Sequence, residues 1–196
     1  MTQDTLRTRL ISSGLDILQE KGLNALTLRA CAARAGVSHA APAHHFSGLS
    51  GLITSIIAKG FAQFADTMEE DRKAAPPTPL GQVTGICNGY MRFSKEHPAL
   101  FSLMFNTSGE IDDTDPEFTA ASARAYGLLR NACAPYLPVT EHPNATEVLV
   151  WSLVHGLATL QLGGSLTVAE DNEQIPTIEE LLAGLPLKTQ PPTPLP

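Results

Sequence analysis

Apolar residues recur at helical spacing along most of this chain. Leu6, Leu10, Ile11, Leu15 and Leu18 fall on one face and predict a first helix, ended by Gly22. Residues 28–35 form an alanine-rich run with two arginines, a strong helix former. Gly36 follows where a helix would close in the left-handed conformation that suits glycine. A third helix is expected over residues 38–44, with the Ser38 hydroxyl as its cap. Pro42 lacks an amide hydrogen and biases Ala41 away from helical angles, so that helix should be short or tight at its start. Leu49, Leu52, Ile53, Ile56, Ile57, Phe61, Phe64 and Met68 then trace a long helix with one apolar face. The sequence Ala74-Ala75-Pro76-Pro77-Thr78-Pro79 breaks it.

The pattern changes beyond that break. Residues 80–97 are apolar nearly all round, as in a buried helix. His97-Pro98 ends it and opens a short turn over 99–105. Residues 106–115 form a polar, acidic surface loop whose carboxylates do not have the spacing of a calcium loop. Asp115-Pro116-Glu117 starts another helix, with cap, proline and acid in order, and it runs to near Pro135. Asn144 and Glu147 stand in capping-box register before a helix that stops at Gly163-Gly164. That helix is apolar on more than one side, which implies a second partner. Thr177 and Glu180 make a second capping box for a final helix over 177–185. Residues 187–196 are proline-rich and expected to be disordered. The sum is an all-α chain of about nine helices: a three-helix head over 1–48, a linking helix over 49–73, and a helical body over 74–186.

Residues 27–46 carry the functional signal. Cys31, Ala32, Ala35 and Val37 are small or apolar, so two helices joined at Gly36 can cross closely over them, as in a helix-turn-helix. Taken with Leu23-Asn24-Ala25-Leu26-Thr27 before it and Ala35-Gly36-Val37-Ser38, then His45-Phe46, the stretch resembles the TetR family of bacterial transcriptional repressors. The resemblance implies a dimer that binds a near-palindromic operator in double-stranded DNA and is released by a small effector. The residues expected at DNA are Thr27, Arg29, Ser38, His39, Ala40, Ala41, His44 and His45, with Arg7 and Arg9 able to approach the backbone. Alanine methyls can meet thymine methyls, and imidazoles can donate to phosphates or bases. The family usually has a tyrosine where this chain has Ala43, and a lysine where the next helix begins around Leu49. Two backbone contacts are thereby missing.

In the body, Tyr90-Met91-Arg92-Phe93, Glu96-His97-Pro98 and Leu103-Met104-Phe105, together with Trp151, His155 and Gly156, resemble the subgroup with a Trp-His-Gly effector domain. This implies an apolar or amphipathic effector near Tyr90, Phe93, Phe101, Met104, Phe105, Trp151 and His155. It also implies a homodimer through the helices over 144–162 and 177–185. His155 would bond either a ligand or a buried carbonyl.

Charge supports the division. Over the whole chain the net charge is −7, but residues 1–60 hold six basic and three acidic residues, a balance of +3. The remaining residues hold seven basic and seventeen acidic ones, a balance of −10. A mildly basic head on an acidic body suits a protein that presents one end to phosphates. No apolar run is long enough to span a membrane and the start lacks the order of a secretory signal, so a cytoplasmic protein is expected. Cys31, Cys87 and Cys133 are an odd number at wide spacing, which argues against disulfides and zinc. No cofactor or metal is implied, and no nucleophile elbow, phosphate loop or metal cluster suggests an enzyme. The competing reading is a ligand-binding or scaffold protein whose head is degenerate and does not bind DNA specifically.

Overall fold

The computed structural model describes residues 5–106, 111–166 and 175–190. Among them there are eight α-helices, two 3-10 turns and no strands. The helices are α1 (Leu6–Lys21), α2 (Leu28–Arg34), α3 (Gly48–Ala74), α4 (Pro79–Glu96), α5 (Pro98–Asn106), α6 (Pro116–Cys133), α7 (Ala145–Leu162) and α8 (Ile178–Ala183). The all-α expectation holds. The chain forms two compact units, one of residues 1–63 and 97–124, the other of residues 64–96 and 125–196. Both α3 and α6 contribute residues to the two units, and α5 belongs to the first.

In the first unit α1 packs on α2 and α5. The Thr5 hydroxyl accepts the Thr8 amide and caps α1. Leu10, Ile11, Ile17 and Leu18 turn inward to meet a core that includes Leu26, Cys31, Leu52, Ile56, Leu100 and Met104. The segment expected as a short turn over 99–105 is instead the helix α5. Pro98 sits in its first turn, where a missing amide costs nothing, and the His97 carbonyl accepts the Phe101 amide at 2.8 Å. Thr54 Oγ1 accepts the Asp112 amide, and Asp115 caps α6 through the Phe118 amide, as the sequence implies. Part of the loop expected over 106–115, residues 107–110, lies outside the described residues.

The second unit is built around α4, which packs on α7 and α8. Its inward side carries Val83, Ile86, Cys87, Tyr90 and Phe93, all buried. The Phe64 ring packs on Tyr90 and Phe93 at centroid distances of 4.7 and 5.1 Å. Against α3 the helix presents glycine. A methyl at Gly89 would lie 2.5 Å from Met68 Cα and 2.7 Å from the Thr67 carbonyl oxygen, and one at Gly85 2.8 Å from Arg72 Cα. The two helices touch backbone to backbone. Arg92 adds ion pairs to Glu70 and Asp71 of α3 at 2.7 and 2.8 Å.

Two expectations for the ends of this unit need correction. Asn144 makes no side-chain cap and Glu147 completes no capping box there. Thr146 takes over the entrance, its hydroxyl donating to the Leu137 carbonyl and accepting the Val139 amide, and Glu147 turns inward. The box at Thr177 and Glu180 does form. The tail expected to be disordered from 187 is anchored through its first four residues. Leu137 donates to the Lys188 carbonyl and Gln190 to the Pro135 carbonyl, at 2.8 and 2.7 Å. Residues 191–196 lie outside the described set.

The glycine seam yields a prediction of opposite signs. Gly89→Ala lowers stability by about 1–3 kcal/mol, since neither Met68 nor Thr67 backbone can yield. Gly127→Ala, with nothing within 4 Å of the added carbon, raises it by up to about 1 kcal/mol through helix propensity. Urea unfolding of both variants measures the pair.

Candidate nucleic-acid interface and effector region

The turn between α2 and the second segment forms as expected. Gly36 takes φ +70°, and the Val37 amide returns to the Ala32 carbonyl at 3.0 Å, closing α2 with a Schellman-type pair of bonds. Thr27 caps the other end of α2, its hydroxyl accepting the Ala30 amide at 3.0 Å, and stays exposed. Arg29 is exposed on the first turn.

The third helix of the head is not α-helical. Ala41–His44 is a single 3-10 turn. An α-helix starting at Ser38 would need an amide at position 42 to reach the Ser38 carbonyl, and proline has none. The Ala41 amide makes that bond instead, at 3.0 Å, and the His45 and Phe46 amides both return to the Pro42 carbonyl. Ser38 therefore contributes its carbonyl rather than a capping hydroxyl. Pro42 and Phe46 are buried and anchor the segment, while Ser38, His39, Ala40, His44 and His45 are exposed and Ala41 is half-buried. All eight expected DNA residues thus lie in one unit with surface to offer.

Arg7 and Arg9 are both engaged by groups within the head. Arg7 pairs with Glu117 at 2.7 Å, donates to Ser55 and lies 5.8 Å over the Phe46 ring. Arg9 donates to the Ala35 carbonyl. Arg34 pairs with Glu20 and Asp16; its guanidinium holds the Glu20 carboxyl below the usual carboxylate range. Among the described residues of the head, Lys21, Arg29 and Lys59 make no ion pair.

The seven residues expected at an effector fall in both units. Phe101, Met104 and Phe105 belong to α5 and the first unit. Phe101 and Phe105 pack at 4.8 Å, Phe105 meets Phe61 at 5.7 Å, and Met104 Sδ stands over Gly60. Tyr90, Phe93, Trp151 and His155 belong to the second unit. Phe93 is fully buried, as core. Tyr90 Oη and His155 Nδ1 share a hydrogen bond of 2.7 Å, so a tyrosine hydroxyl meets this histidine where a carbonyl or ligand was expected. Burial pushes the Tyr90 hydroxyl up and the His155 imidazole down from their ordinary values.

Tyr126 and Glu147 were missed by sequence reasoning. Tyr126 donates to Glu147, which is 8 % exposed, and its ring packs on Trp151 at 5.9 Å. The hydrogen bond with Glu147 raises the Tyr126 hydroxyl. The spacing of Glu147, Trp151 and His155, four residues apart along α7, is the signal that would have found them. The second unit also carries a cleft of ≈ 580 Å³ beside Arg72, Gln82 and Asn131, lined by none of the expected effector residues. The three cysteines are buried and unpaired, with burial pushing Cys31 up to about 11 and Cys133 up to about 12, so they are poor nucleophiles at neutral pH.

With this geometry in hand, the comparisons are specific. Residues 10–56 match the family model "Bacterial regulatory proteins, tetR family", and residues 83–185 match "Tetracyclin repressor-like, C-terminal domain". The chain belongs to the TetR family. This TetR-family chain is thus a DNA-binding transcription regulator with a ligand-binding C-terminal domain. Its fold is shared with a protein of unknown function from Rhodococcus sp. RHA1, at 24% identity and a TM-score of 0.71 over 93% of this chain and 92% of that one. It is shared also with a TetR family transcription regulator from Marinobacter aquaeolei VT8, at 17% identity and TM-score 0.61, over 86% and 89% of the two chains. The multidrug binding protein EbrR, solved with imidazole, shares it at 17% identity and TM-score 0.61 over 91% and 93%. No curated protein matches the chain significantly. Among the described residues no helix is long and apolar enough to cross a membrane.

Because burial favours the neutral His155 imidazole in the folded chain, its contribution to stability is complete above the unfolded value of about 6.5. That contribution is lost as pH falls through the lower folded value. His155→Gln is expected to flatten this acid limb, measured as melting midpoint against pH.

Proposed function

We propose that this TetR-family regulator is a cytoplasmic repressor that binds a near-palindromic operator as a homodimer and lets go when an effector occupies its body. The observation that carries the reading is the exposed edge of the head. Pro42 and Phe46 hold the 3-10 turn from beneath while Ser38, His39, Ala40, His44 and His45 stay open to solvent. Arg29 and Thr27 serve phosphates, and the turn residues serve base edges.

The dimer is assigned to α7, together with α8. The inward stripe of α7 is Thr146, Val150, Val154 and Ala158, all buried. Its other sides expose Val148, Trp151 and Leu160 at 49%, 39% and 46%, too much apolar surface for a helix facing only water. Gly156 supports the same assignment. A methyl there would meet nothing within 4 Å in this chain, so the space is open to a helix from a second copy.

Trp151, His155 and Gly156 support reading the body as one of the Trp-His-Gly subgroup, with the effector expected near Tyr90, Tyr126, Trp151 and His155. EbrR, the fold relative solved with imidazole, supports a small-molecule role for such a body. An effector acts here by favouring a spacing of the two heads that does not fit the operator, a shift of populations carried by the helices common to both units. The scaffold reading rests on Ala43 and Leu49, both exposed where the family usually has tyrosine and lysine.

A gel shift with DNA flanking the protein's own gene decides between them; the absence of a specific, salt-sensitive shift favours the scaffold. Arg29→Ala is expected to weaken operator and random DNA about equally, by roughly tenfold. His39→Ala is expected to change sequence preference, and equal losses on both probes would remove it from the base readers. Leu160→Glu and Gly156→Leu are expected to halve the mass in sedimentation; an unchanged dimer refutes the α7 interface.

A further inference from the structure

The head must hold a polyanion with two of its arginines already paired. Arg7 is closed on Glu117 and Arg34 on Glu20 and Asp16, while Arg9 donates to the Ala35 carbonyl. On α2, which packs against the 3-10 turn, the charged side chains are Arg29 and the paired Arg34. On α3 the first charged residue is Lys59, about three turns from the helix start. What the reading edge does carry is imidazole. His39, His44 and His45, half of the six histidines in the chain, stand within seven consecutive residues, and all are exposed.

We propose that DNA binding by this protein is coupled to proton uptake at His39, His44 and His45, so that the head grips DNA more tightly as pH falls. This rests on the DNA-binding reading above. Histidine is the side chain whose charge changes between about pH 5 and 8. The negative field of DNA favours the charged imidazole, so binding is tighter where the rings carry a proton and weakens as pH rises.

Among the described carboxylates of the head, Asp16, Glu20 and Glu117 are held by arginines. Asp16 and Glu20 are taken by Arg34 on α1 and α2. On the side of Phe46, whose ring lies 6.4 Å from that of His45, Glu117 of α6 is taken by Arg7. Each proton taken up adds a cation at the interface and with it about one released counterion. The histidines thus stand in for the lysine missing near Leu49, with the difference that their charge can be removed.

The test uses the full chain and two fluorescent duplexes, one from upstream of its own gene and one of scrambled sequence. Affinity and its salt dependence are read between about pH 6 and 8. At least tenfold tighter binding at the acid end is expected, roughly 1.4 kcal/mol. The slope of log Kd against log salt should steepen there by about one per histidine engaged. The triple variant His39→Gln, His44→Gln, His45→Gln should bind with the same affinity at both ends of the range, with a melting curve confirming that it is folded. Arg29→Gln should lose affinity at both ends and keep the pH dependence. Calorimetry of the wild-type chain in two buffers of different ionisation enthalpy should show net proton uptake. Equal affinity and slope across the range, no proton uptake, or a pH dependence that survives in the triple variant would each overturn the coupling and leave DNA binding intact. No shift on either duplex at any pH would bring down the DNA-binding reading and the coupling with it.

Discussion

Backbone contact between α3 and α4 is the constraint on which the second unit depends. Gly85 and Gly89 sit one turn apart on α4, and any side chain at Gly89 would enter the backbone of Met68. At that separation the helices exchange dispersion contacts along their main chains, and the ion pairs from Arg92 to Glu70 and Asp71 fix the register beside them. Beside the glycines the same helix carries large apolar side chains: Phe64 of α3 packs on Tyr90 and Phe93, and Val83 and Ile86 are buried. The helices α7 and α8 also pack on α4, so it is covered by three neighbours.

The head answers to a different constraint, a missing donor. Pro42 forces the Ser38 carbonyl to accept from Ala41 rather than from the residue beyond, and the segment closes as a single 3-10 turn. A 3-10 turn is narrower than an α-helix and rises faster, so fewer side chains face any one direction. Arginine charge is used largely within the head, where Arg7, Arg9 and Arg34 tie α1 to α2, α3 and α6. These pairs are exposed enough that each contributes little to stability, but together they neutralise cations that the sequence counts as available to DNA.

The sequence was legible where local physics decides. Gly22, Gly36, Asp115 and Thr177 each mark a helix end that the structure places within a residue or two. The apolar periodicities of α1 and α3 survive in the main, with Leu49 exposed, Leu6, Leu15 and Phe61 half-buried, and Ile17 added to the buried face of α1. Illegible features depended on distant partners. Nothing near Asn144 says that Thr146 will bond across to residues 137 and 139, and so release Glu147 from the capping box toward Tyr126. Nothing near Arg7 announces Glu117. Residues 99–105 read as a turn because Pro98 was taken as a breaker, when at the first position of a helix it is an initiator. At the proposed DNA edge the turn at Gly36 was legible and the 3-10 backbone beyond it was not. For the effector region even the grouping was not, since Phe101, Met104 and Phe105 fold with the head rather than with Tyr90 and His155.

The row of Glu147, Trp151 and His155 shows how one helix can serve two purposes. Residues four apart advance by about 40° around an α-helix, so such a row winds slowly across its surface. Glu147 begins beside the inward stripe and is buried against Tyr126; Trp151 is part-exposed; His155, bonded to Tyr90, is nearest to the side that carries Val148 and Thr159. A second copy resting on the outer side of α7 would therefore cover the His155 end of the row more than the Glu147 end. In the proposed dimer, a molecule that disturbs the Tyr90–His155 bond acts at the margin of the subunit contact, whereas one that disturbs Tyr126–Glu147 acts within a single subunit. The first can alter how two copies meet and the second can alter only how one copy packs. Coupling between effector and subunit arrangement is accordingly expected to run through the histidine end.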